Sequence, residues 1–316
     1  MSLIQAERAA KDTRVEQFKD NRQRRTITKY LTVAVFTISG MLLFIVFVLS
    51  PIFQSGLYSL YDWNGFGGLI DYVGLDNYER LYNHNIFRQA IQHSIVIMLL
   101  SLCIQLPVAL AIALLVGRGE LPGRRIFRAM LFIPYVFSEI ITAIIWLYVL
   151  HPNEGLANTV FDAVIPGFEP VGWLGNRDIV LYSIFAVLVW KFFGFYMILY
   201  MAALQGVSKD LEDAARIDGA NEWNVLRLIT LPLIGPTIRL TVFLSVLGSV
   251  QQFVIIWVMT TGGPVNASEV MSTYLFKYGI QRFRLGYGSA VAVVLFVITL
   301  AFSLFYQRFV MSRDYD

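Results

Sequence analysis

Apolar residues in this chain do not alternate as on a half-buried strand; they run on. Six stretches are nearly free of charge: Leu31–Phe53, Ala90–Val116, Phe127–Leu150, Val180–Leu204, Thr237–Thr260 and Gly286–Val310. A helix needs about 20 such residues to cross the roughly 30 Å hydrocarbon core, whereas barrel strands show segments of about 10 with strict alternation. The pattern predicts an all-α integral membrane protein with six transmembrane helices.

The polar segments set the organisation. Residues 1–29 are charged, and the apolar run after them is too long for a signal-peptide core of about 7–15 residues. They read as a cytoplasmic N-terminal arm, residues 30–311 as a six-helix membrane domain, and 312–316 as a cytoplasmic tail. The arm is either a helix lying on the membrane surface or a solvated extension. Orientation follows Lys and Arg alone. The arm, the second–third loop, the fourth–fifth loop and the tail carry 18 of the 25, the opposite side carries 6, and Lys191 lies inside a span. This bias predicts both termini and the fourth–fifth loop in the cytoplasm.

Composition agrees. The chain is 57% hydrophobic and 15% charged, with a mean hydropathy of +0.61, against about 45–50% and 25% in soluble domains. Its single cysteine, Cys103, excludes a disulfide scaffold. The net charge of +3 flanks the spans, where the lipid bilayer is a sufficient partner, so no nucleic acid is expected. Catalytic patterns are missing: there is no G-x-x-x-x-G-K-[ST] and no G-x-S-x-G, and His84, His93 and His151 form no metal-ligand spacing. No catalytic residue, no metal site and no enzyme activity are expected.

The most informative polar segment runs from Val207 to Pro236, VSKDLEDAARIDGANEWNVLRLITLPLIGP. It encodes two short helices meeting at a sharp turn. Ser208 can cap the first, whose opening turns hold Asp210, Glu212 and Asp213, where the helix dipole favours acids. Gly219 suits a left-handed residue past the helix end, and Asn221 can cap the second helix. Pro232 interrupts regular hydrogen bonding, and Pro236 fits the first turn of the fifth span. Ala214, Ala215 and Ala220 leave a surface without bulk that another protein can approach closely.

DAARIDGAN followed by LPLIGP resembles the EAA loop of binding-protein-dependent ABC transporter permeases. Trp190–Ala220, Gly248–Pro264 and Gly286–Gly288 are similar to the carbohydrate subgroup that includes the maltose and glycerol-3-phosphate permeases, as are GLAN at 155–158 and the Trp173–Leu174 pair. The resemblance covers most of residues 90–310. It implies the type I importer permease fold, with Asp213, Ala214, Ala215, Asp218, Gly219 and Ala220 forming a coupling loop that docks on a dimeric cytoplasmic ATPase. It further implies a second permease subunit encoded as a different chain, an extracytoplasmic solute-binding protein, a place in the inner membrane of a bacterial cell, and a sugar or sugar-like substrate. ATP and Mg would sit on the partner ATPase, with no cofactor on this chain. Asp213 stands where the family usually has glutamate and is one methylene shorter.

Polar groups inside the bilayer are costly and mark function or internal pairing. Lys191 has two readings: a substrate ligand in the cavity, or a structural partner of Glu139 or of backbone carbonyls. Glu139 reads as a structural charge. Tyr196, Ser249, Gln251, Gln252 and Trp257 are the further substrate candidates, because sugars call for hydroxyl-matching amides and aromatic faces. Gln251 and Gln252 point about 100° apart on a helix, which lets only one line a cavity. The competing reading is a stand-alone secondary transporter driven by an ion gradient, with Glu139 and Lys191 carrying protons. It lacks an inverted repeat and leaves the EAA-like loop without a purpose.

Overall fold

The computed structural model describes residues 28–118 and 123–311. The arm and tail assigned to 1–29 and 312–316 thus fall almost wholly outside the described residues. Contacts divide the chain into a unit ending at Leu57 and one beginning at Tyr58. The first unit contributes α1, Thr28–Tyr58, whose apolar window has no buried residue. Phe36, Phe47 and Phe53 are each more than two-thirds exposed. A helix apolar on all sides suits lipid or a protein neighbour, not water.

The second unit begins with a loop whose Tyr61 and Tyr72 pair in an isolated antiparallel bridge. Buried Asn77, in α2 (Asp76–Asn83), ties this loop down by donating to the carbonyls of Ser59 (2.9 Å) and Tyr61 (3.0 Å). The second span follows as α3, Asn85–Gly117, with a π-helical turn at Ser101–Gln105. Pro107 just beyond supplies no N–H to the preceding turn.

The third span departs from the expected continuous helix. It consists of α4, Arg124–Val136, and α5, Glu139–Val149, bent by 100° between them. Two local causes are visible. Pro134 lies in the last turn of α4, and Ser138 starts a new helix by accepting a hydrogen bond from the Ile141 amide at 3.2 Å. A short helix α6, Leu156–Val164, leads to the fourth span, α7, Val180–Gln205. Asn158, from the GLAN stretch, accepts from the Trp173 indole at 2.8 Å and donates to the Pro152 and Val171 carbonyls. Two separately noted sequence features are one contact.

α7 is unbroken and central. Val180, Ile184, Val187 and Leu188 pack into one apolar cluster with Ile97, Ala143, Ile255 and Ile256. Tyr196, Met197, Tyr200 and Leu204 pack into a second cluster with Leu106, Ala109, Ala113 and Ile234. Gly194 lets α7 lie directly on α4: any Cβ there would drive into the Leu131 carbonyl.

After the loop helices α8 (Lys209–Ile217) and α9 (Glu222–Val225), the fifth span comprises α10, Gly235–Gln251, and α11, Val254–Thr260. It too is interrupted, at Gln252–Phe253, where the backbone leaves helical angles. The freed Gln252 carbonyl accepts from the Ser272 hydroxyl. A short helix α12, Met271–Tyr274, precedes the sixth span, α13, Leu285–Met311.

Candidate functional site

Two regions answer the sequence expectations, the polar loop after α7 and a cavity among the spans. The first is the segment after α7. Ser208 accepts from the Asp210 amide at 3.2 Å and opens α8. At its far end the Gly219 amide donates to the Arg216 carbonyl (3.1 Å) and the Ala220 amide to the Ala215 carbonyl (2.9 Å). This paired closure is a Schellman motif, and Gly219 has the φ of +86° it requires. Asn221 then caps α9 by accepting from the Asn224 amide at 2.8 Å.

Side chains brace this turn from both flanks. The Arg216 guanidinium donates to Glu222 and to Asp213, each at 2.7 Å. Glu222 first, then Asp213, hold the guanidinium further above its ordinary value. Glu212 is buried and accepts from the Thr230 hydroxyl at 2.7 Å, which staples α8 to the segment after α9. Asp213, Ala214, Asp218 and Gly219 are exposed, Ala215 and Ala220 half-buried. Around them Leu211, Ile217 and Trp223 are more than half exposed, Ile217 at 86%. Large apolar side chains exposed together on a polar loop are the kind of patch that marks protein–protein contact sites.

The second region is a cavity of about 220 Å³ among α3, α4, α7 and α10. It gathers at helix irregularities. Ser101 and Gln105 come from the π-helical turn of α3, Tyr135 from the end of α4, and Ser249 and Gln252 from the end of α10. Phe192, Phe195 and Tyr196 line the α7 side. The Ser101 hydroxyl donates to the side-chain Oε1 of Gln105 at 2.6 Å and lies 2.8 Å from the Ser245 hydroxyl. Ser249 returns its proton to the Ser245 carbonyl at 2.8 Å. Both glutamines are buried, and Nε2 of each has no hydrogen-bond partner. Unmet amide donors in such a place are costly unless a ligand or water takes them. Tyr135 stacks on Phe195 with ring centroids 4.9 Å apart. Amide, hydroxyl and aromatic side chains thus line the cavity together.

The sequence candidates divide accordingly. Tyr196, Ser249 and Gln252 line the cavity; Gln251, Trp257 and Lys191 do not. Gln251 is exposed on the other side of α10, as the 100° step between neighbours dictates. Trp257 lies beyond the interruption and packs on Phe253 and Phe276. Lys191 corrects the expectation of a substrate ligand. Its ammonium donates to the carbonyls of Pro134 (3.2 Å), Tyr135 (2.9 Å) and Phe137. Glu139 forms no salt bridge with it; it occupies the first turn of α5, where the helix dipole favours an acid.

Sequence reasoning passed over Ser101, Gln105 and Ser245. Ser101 and Gln105 carried a usable signal, two polar residues four apart on one face of an apolar run. It also missed Glu269, fully buried and paired with Lys277 at 2.9 Å.

The family described as "Binding-protein-dependent transport system inner membrane component" matches residues 105–313. The lactose transport system permease protein LacF of Rhizobium radiobacter is 31% identical over 92% of this chain and 98% of its own length. The diacetylchitobiose uptake system permease protein NgcF of Streptomyces coelicolor is 30% identical over 90% of this chain and 84% of its own. The trehalose/maltose transport system permease protein MalF of Thermococcus litoralis is 31% identical over 84% and 88%. A bacterial alginate ABC transporter, crystallised in complex with an alginate pentasaccharide-bound periplasmic protein, shares the fold with a TM-score of 0.77 at 24% identity, covering 90% of this chain and 95% of that one. With its apolar spans and these matches, the chain belongs to the binding-protein-dependent inner membrane components, the multi-pass permease subunits of ABC importers.

Proposed function

We propose that this chain forms half of the pathway of an ATP-driven importer for a sugar or short saccharide. The observation that carries the reading is the pair of buried glutamines, Gln105 and Gln252, each with an unpartnered Nε2, among the residues that line one cavity with Tyr135, Phe192 and Tyr196. Hydroxyls accept from amide N–H groups, and aromatic faces suit the apolar side of a pyranose ring. The named cargoes of the relatives, lactose, diacetylchitobiose and trehalose or maltose, support this chemistry. A carrier working alone on an ion gradient has no support in the family.

Residues 207–236 face the cytoplasm with both termini, by the Lys and Arg bias. Asp213, Ala214, Ala215, Asp218, Gly219 and Ala220 seat against a dimeric ATPase that holds ATP and Mg, while this chain binds neither. Closure of the ATPase moves the loop, α7 carries the movement, and the cavity between α3, α4, α7 and α10 exchanges its open side. A second permease, a different chain, supplies the other half, and an extracytoplasmic binding protein delivers the sugar. Purification from the native membrane tests this. The chain should copurify with an ATPase and a second six-span chain, and sugar-loaded binding protein should stimulate ATP hydrolysis. A chain that purifies alone and transports with an ion gradient would overturn it.

A further inference from the structure

Breaking a helix inside a membrane leaves carbonyls with no helical donor and no water to replace it. In the third span the amides that would serve Pro134, Tyr135 and Phe137 in a continuous helix belong to Ser138, Glu139 and Ile141. The Ile141 amide instead donates to the Ser138 hydroxyl, and the 100° bend carries α5 away. Three carbonyls converge, and Lys191 meets them with three donors from an ammonium that is otherwise 97% buried with its residue. The same ammonium lies over the rings of Tyr135 (5.6 Å) and Phe192 (5.9 Å), both of which line the cavity. Gly194, three residues on and on the same helical face, brings α7 onto the Leu131 carbonyl and so sets the lysine at this depth.

We propose that Lys191 is a positioning residue: a tethered cation that fills a carbonyl cage in the broken third span and thereby holds Tyr135 and Phe192 as one wall of the cavity. Unwound spans of ion-driven carriers aim such carbonyls at a free Na⁺; here the cation is a side chain and does not leave. All three donors are committed, so none remains for a ligand. The transport arm of the test rests on the function proposed above, whereas the melting arm does not.

The test uses the full chain with its partner subunits. Lys191→Met keeps the stem but carries no donor, and Lys191→Ala empties the cage. For the Met variant the KM for sugar uptake should rise about ten-fold while kcat stays within about two-fold of the parent, the signature of a displaced binding wall. For the Ala variant, excess propylammonium should restore both KM and melting temperature, because it can donate into the cage. Tetramethylammonium, a cation with no N–H, should restore neither. A Met variant with the parent's KM would overturn the proposal, as would loss of kcat at constant KM. If the parent transports no sugar, the melting arm still decides: recovery by propylammonium alone supports the cage, and equal recovery by both cations, or by neither, overturns it.

Discussion

The fourth–fifth loop, Val207 to Pro236, and the cavity are built by opposite means. In the loop, nearly every fixing contact spans a few residues: Ser208 to Asp210, Ala220 to Ala215, Arg216 to Asp213 and Glu222. In the cavity, Ser101 meets Ser245 across 144 positions, and behind its wall Lys191 reaches carbonyls 54 to 57 residues back. Short-range contacts lose little chain entropy on closing, so the loop is specified by its own sequence. The cavity exists only when four helix segments are packed, and part of its polar lining, Ser101, Gln105 and Gln252, lies where those helices turn irregular.

The contrast is broken most severely at the helix contact beneath the cavity. Gly194→Leu pushes side-chain atoms into the Leu131 carbonyl, which backbone cannot yield cheaply. Stability should fall by about 3 kcal/mol or more, seen as lost yield and a lowered melting temperature, while the loop stays locally intact. Next comes the turn. No atom lies within 4 Å of a Cβ built at Gly219, so Gly219→Val acts through its φ alone, at about 1–2 kcal/mol. Substrate-stimulated ATPase activity should drop in that variant with the spans still folded. Gly219→Asn, which tolerates the left-handed region, should retain it. Full stimulation in the valine variant would refute the role of the turn.

Gln252→Leu removes an amide with no internal partner. The apo protein should melt no lower than the parent, and KM should rise about three- to ten-fold, one hydrogen bond's worth. The smallest effect is expected at His84, between α2 and α3, whose Nδ1 lies 2.8 Å from the Tyr274 hydroxyl. Burial first, then the Arg282 charge, lowers its proton affinity below the ordinary value of 6.5. The unfolded chain then binds the proton more readily than the folded one. Stability from the neutral ring is complete above that value and is lost as pH falls below it. Melting temperature should decline on acidification through this range, and His84→Gln should flatten the decline.

The loop's caps, turn glycine and prolines were legible because each acts within a helical turn of itself. So were the span positions, which hydropathy alone decides. Within the spans, Gln252 was legible as an amide needing a partner, and Gln105 should have been by the same reasoning. The purpose of Lys191 was not. Its type and depth announced an obligation, but its partners become apparent only once Pro134 and Ser138 are seen to break a run that reads as one helix. Glu269 escaped for the same reason: a carboxylate in a loop gives no sign of burial until Lys277 is folded over it.

Of the helices that border the cavity, α7 alone among the described residues has neither break nor π-helical turn. Its 26 residues make a rod about 39 Å long, joined to α8 by only Gly206, Val207 and Ser208. A rod so short-coupled transmits tilt rather than absorbing it. A sideways push at its loop end displaces Phe192, Phe195 and Tyr196 in proportion to their distance from the pivot. The hinged spans opposite, with their loosened backbone, are where that swing is taken up. The chain is therefore stiff along the line of force and compliant across it, the mechanical division found in a lever working against a spring.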